Sequence, residues 1–184
     1  MITRRDKRWT AACACGEVLI EAAGEPIVTT ACYCASCREA GRRFEAVAGA
    51  PPVREADGST ACLLFRKDRV RCVRGAERLE AWRLSPTSKT RRVAATCCNA
   101  AMFLDFTGGH WLTLYRQRIA AGERPAIAMR VMTRDSEAGT ALAHDVPNYP
   151  SHSPRFMARL IVAWLAMGFR TPRIDYVKEE AHAG

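Results

Sequence analysis

The length and composition of this chain describe a folded domain that is unusually rich in cysteine. It has 184 residues, of which 48% are hydrophobic and 26% are charged, values typical of one globular domain with a sizeable core. The longest apolar run, residues 160–169, is shorter than the roughly 20 residues that a transmembrane helix needs. We therefore expect a soluble protein without a membrane partner.

The formal net charge of +9 raises the hypothesis of a nucleic-acid partner. Two observations weaken it. Ligating thiols are deprotonated, so one four-thiolate and one three-thiolate zinc site would lower the charge to about +6. The basic residues are also spread over residues 4–8, 66–74 and 89–92, which favours solvated surfaces. A nucleic-acid partner is possible but not favoured.

The nine cysteines favour metal binding in a reducing compartment. Their number is odd, and the first residues contain no apolar signal segment, which argues against a secreted disulfide framework. We expect a cytoplasmic protein that uses thiols as metal ligands. Cys62 and Cys72 lie in strand-like runs without ligand spacing, so we expect both to be small buried residues.

Three thiols fall within the six residues Cys32-Tyr33-Cys34-Ala35-Ser36-Cys37. Spacings of two and three residues let one short loop direct Cys32, Cys34 and Cys37 at a common point, where zinc is the commonest occupant. A fourth ligand from a distant residue would make this site structural. Water or a substrate in that position would leave it open for chemistry.

Two further cysteine groups lie outside this loop: Cys13 and Cys15 upstream, and Cys97 and Cys98 downstream. A zinc ion shared by two such pairs ties together distant parts of a small β domain. Adjacent strand residues face opposite ways, so Cys97 and Cys98 reach one metal only through a turn or bulge. Alternatively, Cys98 serves the upstream pair while Cys97 closes the central site with a fourth thiolate.

The rest of the chain predicts short strands separated by Gly and Pro turns. We place the strands near residues 17–21, 27–30, 61–66, 70–73, 79–84, 92–96, 102–106 and 127–133. Residues 1–11 are expected to form an N-terminal arm, residues 12–135 a zinc-binding β domain, and residues 38–44 one short helical turn. We expect Asp105 to point to solvent, and the four histidines form no metal pattern: His110, His144, His152 and His182.

Residues 136–184 are expected to form a C-terminal extension with a helix over about residues 154–167. Ser153 is a good cap, Pro154 fits the first helical position, and Gly168 supplies a stop. Apolar residues recur at helical spacing, and we expect them to cover the sheet rather than bind a partner: Phe156, Leu160, Ile161, Trp164 and Leu165. The predicted fold class is mainly β, a small zinc-bound β-sheet domain with a C-terminal amphipathic helix.

The three cysteine groups, in this order, resemble the glutathione-dependent formaldehyde-activating enzyme family, which also contains the domain of centromere protein V. The resemblance covers about residues 10–106 and includes Gly16, Arg38 and Gly41 beside the cysteines. It implies a tent-like packing of β-sheets. It also implies a structural zinc held by the two outer pairs (Cys13, Cys15, Cys97 and Cys98) and an open catalytic zinc on Cys32, Cys34 and Cys37.

The activity that the resemblance implies is addition of the glutathione thiol to formaldehyde, a carbon–sulfur lyase type of chemistry. Zinc held by three thiolates is a weak Lewis acid, but it can exchange a soft fourth ligand such as a thiol. Glutathione is anionic, so the nearby Arg38, Arg42 and Arg43 are candidates to bind its carboxylates. The alternative is a non-catalytic zinc module that binds a protein or nucleic-acid partner through its basic surface.

Two departures separate the chain from that family pattern. Tyr33 stands where the family has a histidine in the central loop. The late pair is two adjacent cysteines instead of Cys-x-x-Cys, because residue 95 is alanine. We expect one or two zinc ions per chain, depending on whether Cys97 and Cys98 can share one ion.

Overall fold

Two β-sheets and two α-helices make up most of the described chain. The computed structural model describes residues 7–137 and 141–179. In chain order, the elements of these residues are β1 (Arg8–Ala12), β2 (Leu19–Ala23), β3 (Val28–Cys32), α1 (Ala35–Glu45), β4 (Thr60–Arg66), β5 (Val70–Arg74), β6 (Leu79–Trp82), β7 (Thr90–Ala95), β8 (Ala100–Phe106), β9 (Trp111–Tyr115), β10 (Met129–Val131), α2 (Pro154–Leu165) and β11 (Lys178–Glu179). The predicted mainly β fold with a C-terminal helix is confirmed.

The smaller sheet has the strand order β1-β2-β5, and the larger has the order β10-β3-β4-β9-β8-β7-β6-β11. Most neighbours are antiparallel, while β10 pairs with β3 and β11 with β6 in parallel. All eight predicted strands are present, with ends shifted by a few residues.

The central strand β4 is buried on both faces, which explains its uninterrupted apolar sequence. Leu63 and Phe65 face the core between the two sheets, together with Trp9 and Ile20 of the smaller sheet. Alternate residues, including Leu64, face a second core formed with the helices. The large sheet is therefore the layer between two apolar cores.

Three strands were not predicted from the sequence. Residues 8–11 belong to β1 rather than to an arm, because Trp9 and Ala11 are buried between the sheets. The β domain therefore already includes Arg8. Residues 1–6 lie outside the described residues. Strand β9 pairs with both β4 and β8 near the middle of the large sheet. Strand β11 adds the end of the C-terminal extension to the same sheet.

Helix α1 is longer than the single turn expected over residues 38–44, because it already begins at Ala35 and runs for 11 residues. Its buried face consists of Ala40, Gly41 and Phe44. A Cβ atom on Gly41 would lie 2.6 Å from the Arg54 side chain, so glycine permits close packing there. Cys34 immediately precedes this helix, and Cys37 lies on its first turn.

Helix α2 begins as predicted, since the Ser153 hydroxyl accepts a hydrogen bond from the backbone N–H of Phe156. The expectation that its whole apolar face covers the sheet is wrong. Phe156 and Leu160 are buried, but Ile161 and Leu165 are each about half exposed. With 11 and 12 residues, α1 and α2 are too short to cross a membrane, and no longer helix occurs in the described ranges.

Asp105 does not point to solvent as expected, but is only 1% exposed. Its carboxylate lies 2.7 Å from Nζ of Lys67 and 3.0 Å from Nε of Arg91, and these two residues are also buried. Arg91 also donates to the backbone oxygen of Ile174. This buried ion cluster connects β4, β7 and β8 to the C-terminal extension.

Candidate metal centres

The first candidate metal centre brings all four outer cysteines together. The sulfur of Cys15 lies 3.5 Å from that of Cys13 and 3.3 Å from that of Cys97. Cys98 completes the group, in which all four sulfur atoms lie within 4.8 Å of one another. The group can hold a metal ion, and the alternative in which Cys97 closes the central site is excluded.

Two tight turns position these four thiols. Cys13 follows β1, and the backbone N–H of Val18 donates to its sulfur at 3.2 Å. Cys97 and Cys98 lie in the turn between β7 and β8, where Asn99 has a φ of 54°. This left-handed residue ends the turn, so the adjacent thiols are not forced onto opposite faces of a strand. The turn that adjacent ligands require is therefore present.

The surroundings of this centre favour the thiolate of Cys13, whereas burial raises the pKa of Cys97. Burial opposes ionisation of Cys13, but the Val18 N–H and the neighbouring thiols lower its pKa to about 7. The Arg118 side chain is 8% exposed, and its Nη2 donates to the backbone oxygen of Pro52. Burial lowers the pKa of Arg118, while the charges of Cys98 and Cys13 act in the opposite direction. A buried cation thus offsets the negative charge of this centre.

The second candidate centre consists of Cys32, Cys34 and Cys37, whose sulfur atoms also lie within 4.8 Å of one another. Cys32 ends β3, Cys34 caps α1, and Cys37 lies on the first helical turn. All three are half-buried. In the part of the chain that the structure describes, no fourth Cys, His, Asp or Glu side chain joins them.

The positive end of the α1 dipole favours thiolates at this second centre. Hydrogen bonds from Cys32 and then Cys37 lower the pKa of Cys34 far below its ordinary value. The contact with Cys34 and burial raise the pKa of Cys32, while the contacts with Cys32 and Cys34, together with burial, raise that of Cys37. A metal ion that binds all three sulfurs must displace the protons of the thiols.

Tyr33, which departs from the family pattern, is not among the residues of this cluster. Its side chain is 1% exposed, and its hydroxyl donates to Oδ2 of Asp57 at 2.6 Å. Burial and then the Asp57 carboxylate raise the pKa of Tyr33 to about 12, so it remains a donor. The substitution leaves the three cysteines of the loop together.

The three arginines predicted near the loop have partners elsewhere. Arg42 and Arg43 are exposed on α1 and pair with Glu39 at 2.7 and 2.8 Å. Arg38 lies closer to the cysteines, with its Nη1 3.7 Å from Glu137. Their proposed contact with a substrate remains a prediction.

Sequence reasoning missed Arg92, whose Nη2 donates at 3.2 Å to the backbone oxygen of Ser36, between two of the cysteines. Only the packing of α1 against the large sheet brings these distant residues together, because Arg92 lies on β7 and Ser36 on α1. In the sequence, Arg92 belonged to a run of basic residues interpreted as solvated.

The remaining cysteines and histidines are not part of either cluster. Cys62 is buried as expected and donates to the backbone oxygen of Thr60. Cys72 is only half-buried. His110 is buried and stacks on Trp164 of α2, with ring centroids 5.6 Å apart. His182 lies outside the described residues.

Comparison with known proteins gives no family for this chain. No protein-family model and no curated protein matches it. Among solved structures, it resembles the crystal structure of a Rhodobacter sphaeroides protein, with 21% sequence identity and a TM-score of 0.44. The alignment covers 63% of this chain and 91% of that chain. A similarity this distant carries no functional argument, so function must be argued from the two cysteine centres.

Proposed function

We propose that this protein is a two-zinc enzyme of the glutathione-dependent formaldehyde-activating type. In this proposal the four-cysteine centre is structural, and the three-cysteine centre binds a thiol substrate. The observation that carries the proposal is the difference in ligand number between the two centres. Structural zinc sites use four protein ligands, whereas catalytic sites keep three and leave one position open.

The donor sets fit zinc. A tetrahedral zinc ion with Zn–S bonds of about 2.3 Å places neighbouring sulfurs about 3.8 Å apart. The sulfur of Cys13 lies 3.5 and 3.8 Å from those of Cys15 and Cys97, and the sulfurs of Cys15 and Cys97 lie 3.3 Å apart. These distances equal that spacing or fall up to about half an ångström below it. Soft thiolate ligands favour zinc over hard divalent ions such as Mg²⁺ and Ca²⁺.

The chemistry proposed for the second centre is the addition of a thiol to an aldehyde. A zinc ion bound there would supply a coordination position for a soft fourth ligand. In the reaction, the S–H bond of glutathione breaks and its sulfur bonds to the carbon of formaldehyde. The proton ends on the carbonyl oxygen, and the product is S-hydroxymethylglutathione.

The residues of the chain contribute position and charge to this reaction. Cys32, Cys34 and Cys37 fix the metal at the first turn of α1, whose dipole stabilises their negative charge. The half-buried position of the thiols leaves an approach from solvent. Holding the two reactants in place is the main catalytic effect expected of such a site.

Metal content is the first test of this proposal. The purified protein is expected to contain two zinc ions per chain, and Cys34→Ser to contain one without unfolding. Cys98→Ser is expected to lose the other ion and much of the stability, since structural zinc binding contributes folding free energy. Cys72→Ser is the matched control and should retain both ions. One zinc in the wild type, or two in Cys34→Ser, would contradict the assignment.

Thiol binding and turnover provide the second test. In the cobalt-substituted protein, millimolar glutathione is expected to change the visible absorption spectrum, and Cys34→Ser to abolish that change. The wild type should also accelerate formation of S-hydroxymethylglutathione, followed by NMR. An unchanged spectrum would indicate a closed, non-catalytic metal module. A changed spectrum without acceleration would keep thiol binding but exclude formaldehyde as the substrate.

A further inference from the structure

Arg92 is a buried arginine whose hydrogen-bonding capacity is mostly unused. Its exposure is 3%, and its Nη2 donates to the backbone oxygen of Ser36 at 3.2 Å. Its Nε and Nη1 are also buried, but neither has a hydrogen-bond partner within the described ranges. Buried polar groups are nearly always paired, and a buried charge that lacks partners is costly. These two nitrogens therefore require an acceptor.

The position of Arg92 places this unused capacity at the three-cysteine centre. The oxygen of Ser36 that it contacts lies between Cys34 and Cys37 on the first turn of α1. The guanidinium carbon also lies 5.9 Å from the centre of the Trp82 ring, and Trp82 packs edge-on against Phe44 of α1. Arg92 is thus held between β7 and the helix that carries the cysteines.

Arg91 and Arg92 are adjacent on β7, and their side chains point to opposite faces of the large sheet. Adjacent strand residues face opposite sides of a sheet, and Arg91 faces the other core, where it contacts the carboxylate of Asp105. Arg92 faces the cysteine side, together with its cross-strand neighbours Trp82 and Leu104. In the described part of the chain, no carboxylate takes the role for Arg92 that Asp105 takes for Arg91.

We propose that Arg92 is the anion-recognition residue of the three-cysteine centre. It binds a carboxylate or another oxyanion of the molecule whose sulfur occupies the open metal position. This inference rests on the proposed function, and it assigns the residue that recognises the anionic group of the thiol substrate. An arginine fork suits that task, because its planar N–H groups match the two oxygens of a carboxylate.

The test compares two thiols that differ only in charge. The cobalt-substituted protein is titrated with 3-mercaptopropionate and with its neutral amide, and the absorption change gives each dissociation constant. The wild type is expected to bind the anion at least about tenfold more tightly, the effect of a charge-assisted hydrogen bond. Arg92→Gln should remove this preference and leave the affinity for the amide unchanged.

Two further variants separate the specific contact from general attraction by a basic protein. Arg71→Gln removes an exposed arginine of β5, in the smaller sheet, and should keep the preference for the anion. Arg92→Lys keeps the positive charge without the planar N–H groups, so it should retain only part of the preference for the anion. This variant also provides a test if Arg92→Gln does not fold. The preference should also persist at high salt, because buried contacts are screened little.

Each outcome decides either this inference or the proposed function. Equal affinities of the wild type for the two thiols would overturn the role of Arg92 and leave an open metal site in place. The same would follow if Arg71→Gln reduced the preference as much as Arg92→Gln. If neither thiol changed the spectrum, the proposed function itself would fail, and this inference with it.

Discussion

Replacing Asp105 with asparagine is expected to destabilise the fold by about 3–5 kcal/mol, the usual cost of breaking a buried ion pair from one side. The Asp105 carboxylate lies between Lys67 and Arg91, and all three residues are less than a tenth exposed. Asparagine has nearly the same shape but no charge. The variant therefore leaves the buried Lys67 ammonium with a backbone acceptor, the oxygen of Phe106, and no anion.

The size of this effect follows from the connections that Asp105 makes. Lys67 follows β4, Arg91 lies on β7, and Arg91 also holds the C-terminal segment through the Ile174 oxygen. Total stabilities of single domains are about 5–15 kcal/mol, so the substitution should remove a large part of the total. We expect the segment around Ile174 to lose its hydrogen-exchange protection first.

The assay is urea unfolding of the metal-saturated proteins, because bound metal itself adds stability. The urea concentration at the midpoint of unfolding should fall, while the slope of the unfolding free energy against urea concentration stays the same. Asp145→Asn is the matched control: Asp145 pairs with Arg130 at 2.7 Å, but its side chain is 64% exposed, and exposed pairs contribute little. A loss below about 1 kcal/mol in Asp105→Asn would refute the reasoning, since it lies in the range of exposed ion pairs.

Three other substitutions test separate features of the fold. Ser153→Ala should cost about 1 kcal/mol in thermal or urea unfolding, because it removes the hydroxyl that caps α2; an unchanged midpoint would contradict the cap. Gly75→Ala should cost at least about 1–2 kcal/mol, because Gly75 has a φ of +75° and a Cβ there would lie 2.6 Å from the Glu17 oxygen; the open Gly122→Ala should have little effect. Burial lowers the pKa of His110, so its contribution to stability is complete above its unfolded value of about 6.5 and is lost as the pH falls through the lower folded value. Urea midpoints between about pH 7.5 and about pH 5 should therefore fall less in His110→Gln than in the wild type, and parallel profiles would exclude this role.

The C-terminal helix illustrates the limit of local patterns. The cap and the apolar spacing predicted where α2 begins, because both signals lie within a few consecutive residues. The same spacing did not predict which apolar side chains are covered. Ile161 and Leu165 share the pattern of Leu160, but they are about half exposed, because coverage depends on the elements that pack against the helix.

The spacing of the cysteines likewise predicted only which thiols lie close together within one loop. Residues two and three apart in one loop must lie close together, so the group of Cys32, Cys34 and Cys37 followed from the sequence. The sharing of one centre by Cys97 and Cys98 did not. It depends on the turn after β7, where Asn99 adopts a left-handed conformation. The sequence left that arrangement open, and the structure decided it.

By itself, the sequence determined eight of the eleven described strands, the start of the C-terminal helix and the three cysteine groups, because each depends on residues that are neighbours in the chain. The tertiary structure alone decided that Asp105 is buried and that the adjacent Arg91 and Arg92 serve different cores. It also brought Arg92 to the first turn of α1. These facts depend on the order of strands in the large sheet and on which side each residue faces, and both are set by pairing between distant segments.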